Sequence, residues 1–234
     1  DHKYTRTLEH VNKKLGQEYL DIIYKNYGLS QEEILNYISP LQKIGRPRLY
    51  KLKGIAPRVS STAIRYLKVA LDLRDKFGSD MGDVVEVGPG YGGQGIILEK
   101  VCNIKSYTFI DIWQVNLLIR RFIEAANFQS NYLISTLNET NWKDFSWDVG
   151  ISNYAFSELP RILQGCYIKQ IFQKCKHGYM TMNSGEEGCY KGQNCTWVDK
   201  NLSKNEMLSK FENSYTTEEK PNSSRYRKNY IFNW

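Results

Sequence analysis

The 234-residue chain has no uninterrupted apolar run long enough to cross a bilayer, and its start shows no secretory-signal pattern. Membrane spanning and secretion are therefore not expected, and a cytoplasmic location is. Cysteine is sparse. Cys102, Cys166, Cys175, Cys189 and Cys195 form no C-x-x-C pair, which argues against a zinc site and for reduced thiols, with Cys166 and Cys175 on a predicted helix. Only three histidines occur, His2, His10 and His177. No Lys/Arg run exceeds two residues and no RNA- or DNA-binding signature is present. The net charge of +7 is thus read as a solvated basic surface, or as a preference for a small acidic substrate, ahead of nucleic acid. Repeats and low-complexity tracts are absent as well. What remains, 41% hydrophobic with 17 Tyr and 5 Trp, is enough for one sizeable α/β core and a modest extension.

The informative stretch is Asp83-Val-Val-Glu-Val-Gly-Pro-Gly-Tyr-Gly-Gly-Gln-Gly95, an apolar run that breaks into a glycine-rich turn. Gly88, Gly90 and Gly92 stand two apart, which lets a backbone leave a strand, pass beneath a ligand and enter a helix. Nineteen residues beyond Gly92, a second apolar run (Tyr107-Thr-Phe-Ile110) ends at Asp111. A carboxylate at that distance, at the tip of the next strand, is where a nucleotide ribose is held by its hydroxyls. Dinucleotides and S-adenosylmethionine both fit this pattern. The glycines run G-x-G-x-G rather than G-x-G-x-x-G, and Glu86 stands just upstream. Its charge would repel a pyrophosphate but suits a ligand carrying an ammonium and a sulfonium, so S-adenosylmethionine is the expected cofactor. An NAD-dependent oxidoreductase is the alternative.

Strands are predicted at 83–87, 107–112, 131–135, 147–152, 178–183, 213–218 and 228–233, with helices at 93–102, 113–126, 157–175 and 203–212. No helix separates the last two strands, so the seventh should run antiparallel. The expected fold is a Rossmann-like, seven-stranded mixed sheet with helices on both faces, spanning 81–234. Residues 1–80 form a helical extension: Leu8, Val11, Leu15, Tyr19, Ile22 and Ile23, then Ile34, Tyr37 and Ile38, recur at helical spacing. A third helix begins near Ser60-Ser-Thr62. Aromatic residues in these helices either pack on the sheet or form a homodimer interface. The basic segment 43–58 between them is a linker or a cap closing over an anionic acceptor.

Ligands of open α/β sheets bind beyond the carboxyl ends of the strands. His177 precedes the fifth strand, at the wrong edge, and is a poor candidate base; His2 and His10 reach the site only if their segment folds over it. The fourth strand ends in Ile151-Ser-Asn-Tyr-Ala-Phe-Ser-Glu158. Asn153-Tyr-Ala-Phe is not the (D/N)-P-P-(Y/F) motif of amino-methyltransferases acting on adenine or glutamine. An alcohol needs its proton accepted, and Glu158 is the leading candidate base, provided burial raises its pKa; otherwise it caps a helix. Glu186-Glu187 and Glu218-Glu219 follow the fifth and sixth strands and could orient hydroxyls or hold a metal. Arg225 and Arg227 could pair with acceptor phosphates.

Glu86-Val-Gly-Pro-Gly-Tyr-Gly-Gly-Gln94, Ile110-Asp-Ile112, Ile151 to Glu158, Glu218-Glu-Lys-Pro221 and the terminal Asn-Tyr-Ile-Phe-Asn-Trp234 resemble the sugar O-methyltransferases of bacterial surface-polysaccharide (capsule and lipopolysaccharide) loci. The resemblance spans roughly 55–234. It implies that Glu86, Gly88, Gly90, Gly92, Asp111 and Ile112 bind S-adenosylmethionine, and that Tyr91, Gln94, Asn153 and Glu158 line the methyl-transfer site. The implied acceptor is a small sugar, nucleotide-sugar or phosphorylated glycan precursor; a phosphate- or phosphoramidate-linked glycan decoration is the alternative.

Overall fold

The protein is described from a computed structural model covering residues 11–183, 201–224 and 228–234. His2, His10, Cys189, Cys195, Glu186, Glu187, Arg225 and Arg227 lie outside the described residues.

Helix α1 (Lys13–Tyr27) starts where the Asn12 side chain accepts the Leu15 N–H and stops at Gly28, whose φ of 62° is left-handed. Helix α2 (Gln31–Lys43) opens with a reciprocal Ser30–Glu33 capping box. The basic segment read as a linker or a cap carries a short strand, β1 (Leu49–Tyr50), paired with β2 (Val59–Ser60) just beyond it. Helix α3 (Ser61–Phe77) is capped by Ser60, as its hydroxyl run foretold. It is buried on nearly every side because α1 and α2 cover the face turned away from α4 (Gly93–Val101). The aromatic residues of α1 turn inward: Tyr19 is buried, Tyr24 donates to the Gly54 carbonyl at 2.6 Å and Tyr27 to Asp72 at 2.6 Å.

The main sheet contains β3 (Asp80–Val87), β4 (Asn103–Ile110), β5 (Asn131–Ser135), β6 (Trp147–Asn153), β7 (Cys175–Met182), β8 (Tyr215–Glu218) and β9 (Tyr230–Asn233). Its order is β5-β4-β3-β6-β7-β9-β8, with β9 antiparallel to both neighbours and the other pairings parallel. Helices α3, α4 and α5 (Trp113–Ala125) cover one face; α6 (Arg161–Gln170) and α7 (Lys204–Leu208) pack on the other. Side chains alternate along β3: Val84 joins the first core, Val85 and Val87 the second. Glu86, in register with Val84, therefore faces α3. Among the described residues no helix is long and apolar enough to cross a membrane.

Two expectations are corrected. Strand β4 ends at Ile110, so Ile112 is no strand residue but caps α5. The helix expected over 157–175 is three pieces: a 3-10 turn at Ala155–Glu158, α6, and a second 3-10 turn at Phe172–Lys174. Pro160 causes the first break, because it holds Leu159 in an extended conformation (ψ 146°) that no helix can pass through, and Ile171 (φ −121°, ψ −67°) leaves the helical region at the second. Cys175 opens β7 instead of closing a helix.

Candidate active site

The sheet order reverses direction between β3 and β6, and a crevice opens at their carboxyl ends. Here a cleft of ≈ 490 Å³ is lined by the β3 exit (Glu86, Gly88, Pro89, Gly90), the β6 exit (Asn153, Tyr154, Ala155, Glu158) and α3 (Arg65, Tyr66). Asn183 beyond β7, with Ser223, Ser224 and Asn229 from the β8–β9 link, completes the wall.

Gly88 turns the chain out of β3 at φ 71°. A Cβ there would stand 2.1 Å from the Ala155 Cβ, so only glycine lets the β3 and β6 exits lie this close. The Gly88 N–H donates to the Ile110 carbonyl at 2.9 Å, and the Ser152 hydroxyl donates to the Val87 carbonyl at 2.8 Å, which ties the turn to both neighbouring strands.

Glu86 is 1% exposed. Burial pushes its carboxyl up to about 7; the Tyr107 hydroxyl, donating at 2.7 Å, and Asn153 and Arg65 pull it back. A buried carboxyl titrating near neutrality is a natural partner for a ligand cation. Asp111 accepts the Ile112 N–H at 2.8 Å, and burial raises it to about 6 against the pull of the Ile112 and Gly90 N–H groups. It is tied to the glycine turn through the Gly90 N–H and is not among the residues that line this cleft. Ile112 and the adjacent Trp113 are 60% and 58% exposed.

Glu158 sits at the rim. Its side chain keeps solvent contact, yet desolvation against the wall raises its pKa, and the Asn183 amide, donating at 3.2 Å, opposes this. The remaining sequence candidates lie elsewhere. Tyr91 is buried between Tyr66 and Phe122, ring centroids 5.9 and 4.5 Å away. Gln94 is fully buried and donates to the Tyr66 carbonyl at 3.1 Å, fastening α4 to α3. Gly92, at φ 86°, starts α4 against Ile119 and Ile123. His177 stacks on Phe77 at 5.4 Å, away from the cleft. Glu218 is exposed while its neighbour Glu219 is 6% exposed, so the two carboxylates do not converge. Among the described residues no three His, Cys, Asp or Glu side chains cluster to hold a metal.

Two groups lining the cleft escaped the sequence reading, Arg65 and Tyr154, and the Glu219 carboxylate is engaged within the protein. Arg65, 5% exposed, lies over the Tyr66 and Tyr154 rings at 5.0 and 5.4 Å. Nothing in Ile64-Arg-Tyr-Leu67 distinguishes it from a solvated helix residue. Tyr154 follows the last residue of β6 at φ 68°, a left-handed conformation costly for a side chain and a mark of a constrained site. Its phenol, pushed up to about 12 mainly by burial, stays protonated and donates to Glu219. Glu219 also accepts the Ser223 N–H at 3.0 Å and hydroxyl at 2.9 Å, so one carboxylate fixes the far wall of the cleft.

No family model and no curated protein matches the chain. Solved structures do. An S-adenosylmethionine-dependent methyltransferase from Clostridium acetobutylicum ATCC 824 aligns over 72% of this chain and 89% of its own, at 7% identity and a TM-score of 0.52. The Thermoplasma acidophilum 1320 protein aligns over 86% and 95%, at 14% identity and a TM-score of 0.52. The PH0226 protein from Pyrococcus horikoshii OT3 aligns over 72% and 88%, at 12% identity and a TM-score of 0.52. At such identities the likeness concerns the fold. The mixed seven-stranded sheet, flanked by helices and preceded by others, is the Rossmann-like fold of class I methyltransferases.

Proposed function

We propose that the chain is an S-adenosylmethionine-dependent O-methyltransferase acting on a small sugar or surface-glycan precursor. The observation that carries the cofactor is Glu86: a buried carboxyl, raised to about 7, beside a glycine turn at the switch point of the sheet. The fit is chemical. Ionised Glu86 needs a cation, which an ammonium or sulfonium provides and a pyrophosphate does not. Of the cleft's lining, Glu86, Gly88, Gly90 and Asn153 would hold the cofactor. Gly92, Asp111 and Ile112, outside that lining, would serve it only where it extends past the glycine turn, Asp111 at the ribose hydroxyls. When bound, S-adenosylmethionine supplies an electrophilic methyl group on a positively charged sulfur.

The protein's own groups do the rest. Glu158 accepts the acceptor hydroxyl proton, a role worth about 10²–10⁴-fold and helped by its raised pKa. Asn183 orients that carboxyl by donating to it. Ser223, Ser224 and Asn229 offer hydroxyl and amide groups suited to a polyhydroxylated acceptor. Tyr91 and Gln94 act from behind the turn, seating α4 and Tyr66. Alignment of hydroxyl and methyl within the cleft supplies much of the acceleration.

Calorimetric titration with S-adenosylhomocysteine, beside NAD and an Asp111→Ala control, tests the cofactor. Micromolar binding lost in the variant supports the reading, whereas silence with S-adenosylhomocysteine and a response to NAD overturns it. Transfer of labelled methyl to a panel of free, phosphorylated and nucleotide-linked sugars tests the acceptor, and the sugar assignment falls if none is methylated.

A further inference from the structure

The cleft holds two buried groups of opposite charge. Glu86 enters from β3 and Arg65 from the second turn of α3, and both line the same ≈ 490 Å³ space. Each is almost wholly removed from water, at 1% and 5% exposure. Burying a guanidinium is costly unless its surroundings compensate. The Tyr66 and Tyr154 rings supply part of that, at 5.0 and 5.4 Å from its carbon. These rings flank Arg65, and both tyrosines line the same cleft. Its positive charge is felt at the Glu86 carboxyl, which it lowers, so the two groups share one electrostatic environment. A carboxylate and a guanidinium arranged about one cavity match a ligand bearing an ammonium and a carboxylate on one carbon, an α-amino acid zwitterion.

Resting on the cofactor reading above, we propose that Arg65 is a binding residue for the carboxylate at the amino-acid end of that cofactor, with Glu86 taking the ammonium. The assignment separates two sources of anion. If the carboxylate belongs to the cofactor, Arg65 discriminates between cofactor analogues with no acceptor present. If Arg65 serves an anionic acceptor instead, it does not. Arginine suits the task better than lysine because its fork meets a carboxylate through two parallel N–H donors.

The test uses two ligands that differ only at that group: S-adenosylhomocysteine and its decarboxylated analogue, titrated calorimetrically into the full chain. Wild type should prefer the intact ligand by about tenfold or more, the usual worth of a charge-assisted bond. Arg65→Met, close in volume, should reduce that preference to about onefold; the ratio is taken within each protein, so any change at Glu86, which meets the ammonium of both ligands, cancels. Arg65→Lys, which keeps the charge and loses the fork, should fall between. The analogue serves as the folding control, since a misfolded variant loses both ligands and Arg65→Lys then carries the comparison. Undiminished preference in either folded variant overturns the proposal. Absence of binding by both ligands to wild type would instead bring down the cofactor reading, and the Arg65 assignment with it.

Discussion

Glu86→Gln should make the protein less sensitive to alkali while abolishing its affinity for S-adenosylhomocysteine. The Glu86 carboxyl rises from 4.5 in the unfolded chain to about 7 in the folded one. The folded state therefore holds its proton more tightly, and stability falls as pH rises from about 4.5 to about 7, levelling off above. Each pKa unit is worth about 1.4 kcal/mol, so the buried charge costs the ligand-free protein about 3 kcal/mol above neutrality. In a chain of this size that corresponds to roughly 6–12 °C in Tm as an upper bound. The substituted glutamine would have no charge to bury, although its amide would need an acceptor, which costs about 1–3 kcal/mol at every pH. The informative quantity is therefore the slope. Thermal unfolding of wild type and variant from pH 5 to 9 should give curves that diverge across pH 5–7 and run parallel above. Asp111, raised to about 6, is present in both and largely cancels. Saturating S-adenosylhomocysteine should flatten the wild-type slope, because its ammonium stabilises the ionised carboxylate. Parallel curves throughout, or unimpaired ligand binding by the variant, would refute the reasoning.

Other perturbations have equally definite outcomes. Gly88→Ala places a Cβ 2.1 Å from that of Ala155 at φ 71°, so it should cost at least about 1–2 kcal/mol and weaken S-adenosylhomocysteine binding, read by thermal unfolding and calorimetry together. Glu158→Gln should lower methyl transfer by about 10²–10⁴-fold with cofactor affinity intact; full turnover at all pH values would remove Glu158 as the base. Tyr154→Phe deprives the buried Glu219 of a donor and should cost about 1–3 kcal/mol in urea unfolding. Burial raises the thiols of Cys102, to about 11, and of Cys175, so both should resist a thiol reagent at pH 8 until denaturant is added. Prompt modification of either would contradict their burial.

The parts of the fold legible in sequence were those in which chain order and chemistry coincide. Strand β3 announced itself as an apolar run ending in Glu86 and glycines, and the antiparallel β9 followed from the missing helix before it. The break at Pro160 was less legible, because a 3-10 turn, a helix and another 3-10 turn present apolar residues at nearly helical spacing. At the site, Glu86 and Glu158 could be placed because each ends a strand–turn unit at the expected edge. Tyr91 and Gln94 could not, since a residue that follows the turn by one or four positions points behind it into the α3–α4 contact. Arg65 reaches the cleft through tertiary packing, from 21 residues before Glu86, and Glu219 braces its wall from beyond β8 through Tyr154 and Ser223; no local pattern marks either arrival. The left-handed backbone of Tyr154 has no signature in composition at all.

The insertion of β9 between β7 and β8 has a consequence for the order in which the molecule is built. Strand β8 is synthesised before β9 but, among the described residues, finds its only neighbour in the sheet when β9 pairs with it. The wall carrying Glu219, Ser223 and Asn229 belongs to that delayed ladder, whereas β3, β4 and the glycine turn depend on contacts made much earlier in the chain. The β8–β9 ladder is itself a local hairpin, Glu218 against Tyr230 and Tyr215 against Asn233. It joins the sheet through β9 on β7, with Tyr230 against Met182, and docking over such a sequence distance is entropically late. The half of the cleft assigned to the acceptor thus arrives as a hairpin that waits for β9 to dock on β7, while the half assigned to the cofactor waits for β3 to meet β6.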